Sequence, residues 1–388
     1  MSELAIIPEG ALLLRNGIIE DIGPTRRVEN LAGSQNARVI DAKGQVVMPS
    51  FVDADALLVI PDKIVKSGRP RSDGMSLKLT SRRKIMGRAA AQALDWARYG
   101  SLTVGAHTGA ASDLPNVLKI LRSHHELQSK PLRIRSIFSP AANAFGPVVE
   151  TWIAKYLPAI KKRQLASVLE LSLCGVDSRG ELEVARQIAI AATPLGYAIR
   201  VRCPAGLNDA TAEFASTAGA IAMMLPAGKL CAQFTGLSAL GCMLVFRGSD
   251  PVSAAWEDNR SIREAIDQGG AVAIASGYET GVLSTYNMPL LIHLAVHRLR
   301  MTLEEAITAT TWNAAFALRL SHVTGSLEPG KSGDVLILDI PDYHEIPRRA
   351  GHNDIQIAMR AGRVVYRRPG PGSDLPAGSA AADQGRLR

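Results

Sequence analysis

Pro49-Ser50-Phe51-Val52-Asp53-Ala54-Asp55-Ala56-Leu57 is the stretch on which the reading of this chain turns. It sets two aspartates two positions apart in a run of otherwise small and apolar residues. Alternate residues of a β-strand share a face, so Asp53, Asp55 and Leu57 are expected to point the same way. A buried carboxylate needs a partner, and the rest of the sequence has to supply one.

Downstream, short apolar runs alternate with helical segments, the pattern of repeated βα units. The candidate strands are Phe51–Leu58, Leu102–His107, Leu132–Phe138, Ser167–Cys174, Tyr197–Cys203, Gly219–Leu225, Gly241–Phe246 and Gly270–Ser276. Eight such strands over this length predict an α/β fold, a (β/α)8 TIM-like barrel over residues 50–322. Thr302 and Glu305 form a capping box, and Leu303, Ile307, Thr310, Ala314 and Leu318 then follow helical spacing. Both ends are β-rich. Asn16-Gly17 between Leu12–Arg15 and Ile18–Ile22 marks a tight hairpin, while Asp334–Leu338 and Ile355–Val365 are strand-like. Neither end carries enough apolar surface to fold alone. Residues 1–49 and 323–367 are therefore expected to form one composite β-sandwich, followed by a disordered tail over 368–388.

Composition narrows the function. The 388 residues are 47% hydrophobic and 21% charged, the balance of a globular chain and not of a disordered one. The net charge of +8 comes without a nucleic-acid motif or interleaved aromatics, so a solvated basic surface is the expectation and nucleic acid is not a predicted partner. The four cysteines lack CxxC spacing, and no apolar run is long enough for a membrane span. With no secretory signal at the N-terminus, a cytoplasmic location with free thiols is expected.

Pro49–Leu57, together with the preceding Val39–Met48, resembles the first barrel strand of metal-dependent amidohydrolases. That family usually reads Pro-Gly-Phe-Val-Asp-x-His-x-His there. Thr310-Thr311-Trp312-Asn313-Ala314-Ala315 followed by Gly325-Ser326-Leu327-Glu328-Pro329-Gly330-Lys331-Ser332-Gly333-Asp334 resembles the family's C-terminal signature. Ser284–Pro289, Asp339–Tyr343 and Gly351-His352-Asn353 are most similar to imidazolonepropionase-like members, and the likeness runs over about residues 10–366. It implies zinc or iron, a site at the C-terminal ends of the barrel strands, and hydrolysis of a carbon–nitrogen bond in a cyclic amide. The ligand positions do not follow. Asp55 and Leu57 stand where the resemblance places two histidines, Cys174 falls near the fourth-strand ligand, Arg202 replaces the fifth-strand histidine, and Met224 or Leu225 replaces the sixth. Gly277 replaces the eighth-strand aspartate.

A hydrolytic metal site generally needs three protein ligands and an open position, so neither metal nor other cofactor is expected here. Arginine cannot ligate a cation, and Arg202 is expected to pair with Asp55 or Asp53 instead. The leading expectation is a catalytically inactive homologue: a non-catalytic subunit, a scaffold or a small-molecule binder. Its partner would be a second copy, an active paralogous amidohydrolase or a small anionic ligand. The alternative is a cyclic-amide hydrolase with a rearranged site, using Asp53 or Asp55 as base, His107 as acid and Arg202 on the oxyanion. His107 ends a strand, and a lone histidine there reads more readily as a hydrogen-bonded structural residue. Arg69 and Arg71, in the loop after the first strand, are candidates for anion binding or solvated surface. Cys174, Tyr278 and Glu279 complete the candidate pocket, with small apolar filler as the competing reading for Cys174. His293 and His297 read as packing, and His124-His125 as surface.

Overall fold

The computed structural model describes residues 3–59, 81–109, 111, 113–128, 131–140, 149–173, 179–204, 206–226, 241–248, 260–279 and 285–369. Strands β1 (Gly10–Arg15) and β2 (Ile18–Pro24) form an antiparallel hairpin. Asn16 and Gly17 turn it at φ of 52° and 82°, the left-handed conformation that asparagine and glycine tolerate best. Strand β3 (Val47–Pro49) follows, then β4 (Phe51–Ala56).

β4 opens a parallel sheet that continues in chain order through β5 (Ser101–His107), β6 (Arg133–Phe138), β7 (Val168–Ser172), β8 (Ala198–Arg202), β9 (Ala222–Leu225), β10 (Met243–Arg247) and β11 (Val272–Ala275). Each expected barrel strand is present, with ends displaced by at most three residues. Closure is completed just past β11. Gly277 N–H donates to Asp55 O at 2.9 Å and Leu57 N–H to Tyr278 O at 2.7 Å, with an Ala56–Tyr278 bridge between them. This is the TIM-like barrel the alternating pattern implies.

The outer face of the barrel packs on helices, among them α1 (Arg82–Arg98), α2 (Leu114–Leu127) and α3 (Met288–Arg298), through residues such as Phe51, Leu102, Val104, Trp96, Ile120 and Leu291. A second cluster packs inside the barrel. Val52, Ala54, Ile137, Val168, Ala198, Met224 and Val245 meet Ala314 and Leu318 there. The capping box forms as expected at α4 (Leu303–Thr310), with Glu305 N–H on Thr302 Oγ1 at 3.2 Å and Thr302 N–H on Glu305 Oε2 at 2.8 Å. The single helix implied by the spacing is instead two. Thr311, at φ −126° and ψ −90°, leaves helical geometry and starts α5 (Trp312–Ala317), which lets Ala314 reach the barrel floor.

Beyond the barrel, β3 joins β12 (Val335–Leu338), β13 (Ile355–Arg360) and β14 (Arg363–Arg367) in an antiparallel sheet of order β14-β13-β12-β3. Val335, Ile337, Ile357 and Met359 of that sheet share a small core with Leu12 and Leu14 of the hairpin. Order extends past the expected start of the tail at 368. Arg368 N–H bonds Gln356 O at 2.8 Å and its guanidinium bonds Asp339 at 2.9 Å, while residues 370–388 lie outside the described residues.

One surface expectation is corrected. Val117, Ile120, Leu121, His124 and Leu127 share the buried stripe of α2, so His124 is fully buried while His125 is exposed. Among the described residues neither ring nitrogen of His124 has a hydrogen-bond partner, and burial lowers its pKa to about 3. The unfolded imidazole takes a proton near pH 6.5 and the folded one does not, so this residue costs stability as pH falls from 6.5 toward 3. Between pH 7 and pH 5 the loss is about 2 kcal/mol. Urea denaturation of the native chain and His124→Leu at both pH values should show that much less acid loss in the variant. Equal losses in the two proteins would refute the assignment.

Candidate functional site

The site begins with a slip in β4. Asp53 pairs with Val104 but Ala56 pairs with Ala106, so three steps on β4 span two on β5. That extra residue is a β-bulge, and it reverses which side of the sheet the later residues face. Gly105 makes room for it, because a Cβ there would lie 2.5 Å from Ala54 O. The expectation that Asp53 and Asp55 share a face is therefore corrected.

Asp53 turns toward the outer helices and barrel closure. It accepts from Trp96 Nε1–H at 2.9 Å, from Ser276 N–H at 2.9 Å and from the Ser276 hydroxyl. Burial pushes its pKa up to about 6 against those four donors, Asp55 N–H at 3.3 Å being the last. Asp53 pins helix α1 and the end of β11 to β4, and it does not face the barrel mouth.

Asp55 points into the barrel and meets the opposite strand. Its Oδ1 accepts from Arg200 Nη2 and Arg202 Nη2, both at 2.7 Å, and Arg247 Nε lies 3.1 Å from Oδ2 as a charge contact without hydrogen-bond alignment. Glu170 of β7 is the second carboxylate of this cluster. It receives Arg202 Nε at 2.8 Å, Arg200 Nη2 at 2.5 Å and the Ser139 hydroxyl at 2.9 Å. Arg200 also donates to Ala54 O at 2.9 Å, inside the bulge. Asp55, Glu170 and Arg200 are 1% exposed or less, and Arg202 is 8%. Burial opposes ionisation of both carboxyls. The guanidiniums outweigh it, holding Asp55 well below its usual range and Glu170 at about 2. The same carboxylates, against the burial penalty, hold the Arg202 pKa well above its ordinary value.

Around this cluster the mouth is polar on one side. His107 ends β5, buried at 4% exposure, with Nδ1 accepting from Gly109 N–H at 3.1 Å. Burial lowers the pKa of its ring, so the neutral imidazole carries its proton on Nε2, 3.5 Å from Glu279 Oε1. Arg247 Nη2 reaches the same Glu279 oxygen at 3.0 Å. A cavity of about 130 Å³ adjoins the cluster, lined by Arg202, Cys203, Pro204, Met224, Leu225, Pro226 and Arg247. A much larger recess of about 3300 Å³ lies between the terminal strands and the outside of the barrel, and none of the clustered carboxylates lines it.

The structure thus brings together Asp55, His107, Arg202 and Glu279 of the sequence candidates. Asp53 is excluded from the mouth, and Tyr278 packs its ring on Trp96 with its hydroxyl accepting from Gln92. Arg69, Arg71 and Cys174 lie outside the described residues. Glu170, Arg200 and Arg247 were not singled out from the sequence. The signal was there for two of them: a glutamate inside Val168-Leu169-Glu170-Leu171 and an arginine two places before Arg202 both fall on inward positions of apolar strands. His293 and His297 pack together against Pro347 O, away from the mouth.

The residues present do not fit the zinc or iron implied by the resemblance. Among the described residues no group of three His, Cys, Asp or Glu side chains is placed to hold a metal. Asp55, which stands at a ligand position, already engages two guanidiniums at 2.7 Å through Oδ1, and these would repel a cation. Removing that carboxylate leaves three buried or half-buried positive charges without their shared partner. Asp55→Ala is expected to lose about 3–5 kcal/mol of folding stability, read as the shift in urea midpoint. A loss under about 1 kcal/mol, the value of an exposed pair, would mean that the cluster is solvated in solution.

Comparison with known proteins places this geometry in a family. The amidohydrolase family model matches residues 247–366. The imidazolonepropionase of Solibacter usitatus (strain Ellin6076) is 30% identical over 394 aligned residues, covering 95% of this chain and 93% of that protein. The imidazolonepropionase of Brevibacillus brevis (strain 47 / JCM 6285 / NBRC 100599) is 27% identical, covering 94% and 92%. Among solved structures, 5-methylcytosine deaminase from Klebsiella pneumoniae superposes with a TM-score of 0.69 at 18% identity, covering 92% of this chain and 95% of that one. E. coli guanine deaminase gives 0.68 at 15% identity, covering 93% of each chain, and at such identities the likeness speaks to fold alone. No helix among the described residues is long and apolar enough to cross a membrane. A likeness of this extent, on this barrel, shows that the chain belongs to the amidohydrolase superfamily, as an imidazolonepropionase-like member.

Proposed function

We propose that this chain hydrolyses the carbon–nitrogen bond of a small cyclic amide of the imidazolone type, in a rearranged site that uses no metal. The observation that carries the reading is the approach of His107 Nε2 to Glu279 Oε1 at 3.5 Å, at the mouth of the barrel and above the buried ion cluster. End-to-end similarity to imidazolonepropionases supports the substrate class.

The roles follow from the environments. Asp55 is a poor base because three arginines hold it ionised, and Asp53 faces away. Glu279, with a side chain 43% exposed, is the carboxylate that a substrate and water reach. In this scheme Glu279 takes a proton from water as the water oxygen bonds the ring carbonyl carbon. The neutral His107 Nε2–H donates a hydrogen bond to the carbonyl oxygen as negative charge develops there. The carbon–nitrogen bond then breaks, Glu279 returns its proton to the departing nitrogen, and the ring opens to a carboxylic acid and an amine.

A second reading is favoured by a specific observation: Asp55 and Glu170 are each ion-paired to two or more arginines. On that reading the chain binds the same class of ring without cleaving it, as a non-catalytic subunit or sensor beside a second copy or an active amidohydrolase.

Incubation of the purified full chain with imidazolones, hydantoins and other ring amides, with and without EDTA or added zinc, separates the two. The hydrolytic reading expects ring opening that EDTA leaves unchanged. It also expects a loss of about 10²-fold or more in Glu279→Gln, with an unchanged melting temperature. Binding of the rings without turnover would establish the second reading in its place. Turnover abolished by EDTA and restored by zinc would overturn the metal-free site.

A further inference from the structure

The geometry points to an oxyanion site at the end of the barrel opposite the mouth, where Arg135, Arg319 and Ser167 hold a phosphate group. The site does not depend on whether the mouth cleaves a ring.

β6 runs parallel to its neighbours, so the residues that open it lie at the other end of the barrel from Arg202 and Arg247, which close β8 and β10. Arg133 is its first residue and Arg135 its third, and alternation gives both side chains the same face. Arg133 is fully engaged by the fold. Its Nη1 donates to Asp334 and, at 3.1 Å, to Thr103 Oγ1, while Nη2 donates to Ser332 Oγ at 3.0 Å. Arg135 is not. Its Nη1 donates at 3.1 Å to Ser167 Oγ, just before β7, and Nη2 makes a long contact of 3.5 Å with Arg319 O. Its Nε is buried and has no hydrogen-bond partner among the described residues. Nε and Nη2 are the edge of the fork with which Arg202 grips Glu170. On Arg135 that edge carries one weak contact and one donor without an acceptor, an arrangement that is costly until an acceptor arrives.

The charges gathered here are nearly all of one sign. Burial, then the charges of Arg319 and Arg133, lower the pKa of Arg135, and no carboxylate opposes them. Arg360, the last residue of β13, is lowered by burial and then by Arg133, with Asp334 acting the other way. Asp334 is already occupied. Besides Arg133 it accepts from the Thr324 hydroxyl at 2.9 Å, the Ser332 hydroxyl at 2.7 Å and Ala361 N–H at 2.9 Å. Arg319 follows α5 and is exposed, so its guanidinium is free to turn onto a ligand at the Arg135 edge. Ser167 is half-buried, and because its oxygen accepts from Arg135 its own proton remains to be donated. A carboxylate has two oxygens for these three side chains. A phosphate group has enough to fill the fork of Arg135 and still meet a second guanidinium and a hydroxyl, and its charge suits a surplus of arginine.

Calorimetric titration of the full chain with inorganic phosphate, phenyl phosphate and acetate at constant ionic strength tests this. Inorganic phosphate is expected to bind at one site with a Kd of about 1 mM or tighter, at least tenfold more tightly than acetate. Arg135→Gln and Arg319→Gln should each weaken it at least tenfold. The mouth also carries arginines, and Arg247→Gln there should leave the affinity within twofold of the native chain. Where Arg135→Gln fails to fold, Arg319→Gln decides, since that side chain is exposed. Phenyl phosphate binding as tightly as the free ion would show that the site takes a phosphoryl group on a larger molecule, and tenfold weaker binding that it takes the free ion. No saturable binding of phosphate, equal binding of acetate, an affinity that survives in Arg319→Gln, or one lost in Arg247→Gln would each overturn the site.

Discussion

Asp55 Oδ1 receives two guanidiniums from one opposing strand, and the mouth of the barrel is arranged around that contact. Arg200 and Arg202 sit two residues apart on β8, so both side chains enter the interior and converge on one carboxylate oxygen. Glu170, one strand earlier, binds both arginines from the other side. The result is a closed alternation of charge in which each buried carboxylate touches at least two cations. Desolvation of any one group is offset only while the others stay in place, so the cluster stands or falls as a unit.

Backbone geometry makes this contact available. Without the bulge between Asp53 and Ala56, Asp55 would follow Asp53 toward the outer helices and leave the arginines unpaired. Gly105 admits the bulged carbonyl of Ala54, and that carbonyl in turn accepts Arg200 Nη1 at 2.9 Å. Barrel closure uses the same residues, through Gly277 N–H on Asp55 O and Ser276 on Asp53. The last barrel strand is thus tied to the first by the backbone of one aspartate and the side chain of the other. Sheet closure and the electrostatics of the mouth are not separable here.

Much of this was legible in the sequence, for reasons of period and length. Eight apolar runs spaced by helical segments sufficed for the barrel, because strands buried on both faces read as continuous apolar stretches. That Arg202 pairs with one of the two aspartates of β4 followed from a charged residue at an inward position of the opposing strand, but not which of the two it meets. The bulge was not legible, since one extra residue leaves no mark on composition and only the partner strand reveals it. Arg247 was missed because it sits at the very end of its strand, where alternation no longer fixes direction. The buried His124 was hidden by its exposed neighbour His125, although the i, i+3, i+4, i+7 series from Val117 contained it. The break at Thr311 escaped for the opposite reason: helical spacing persists across it while the axis changes.

Buried ion pairs are a poor way to hold a barrel together. Well-packed apolar side chains of the same volume commonly match or exceed their contribution to stability, because the charges must first be stripped of water. Fold maintenance therefore does not account for three arginines and two carboxylates at the mouth. Their arrangement makes better sense through what it presents outward. Asp55 and Glu170 fix the planes of the guanidiniums, and Arg202 and Arg247 line a small cavity at the mouth. A guanidinium held in place by carboxylates binds a further anion without first losing side-chain freedom, which is the cost that usually weakens arginine contacts at a surface. In this chain the carboxylates hold guanidiniums at the position where the resemblance implies a metal, so the positive charge at the mouth is fixed by side chains of the barrel strands.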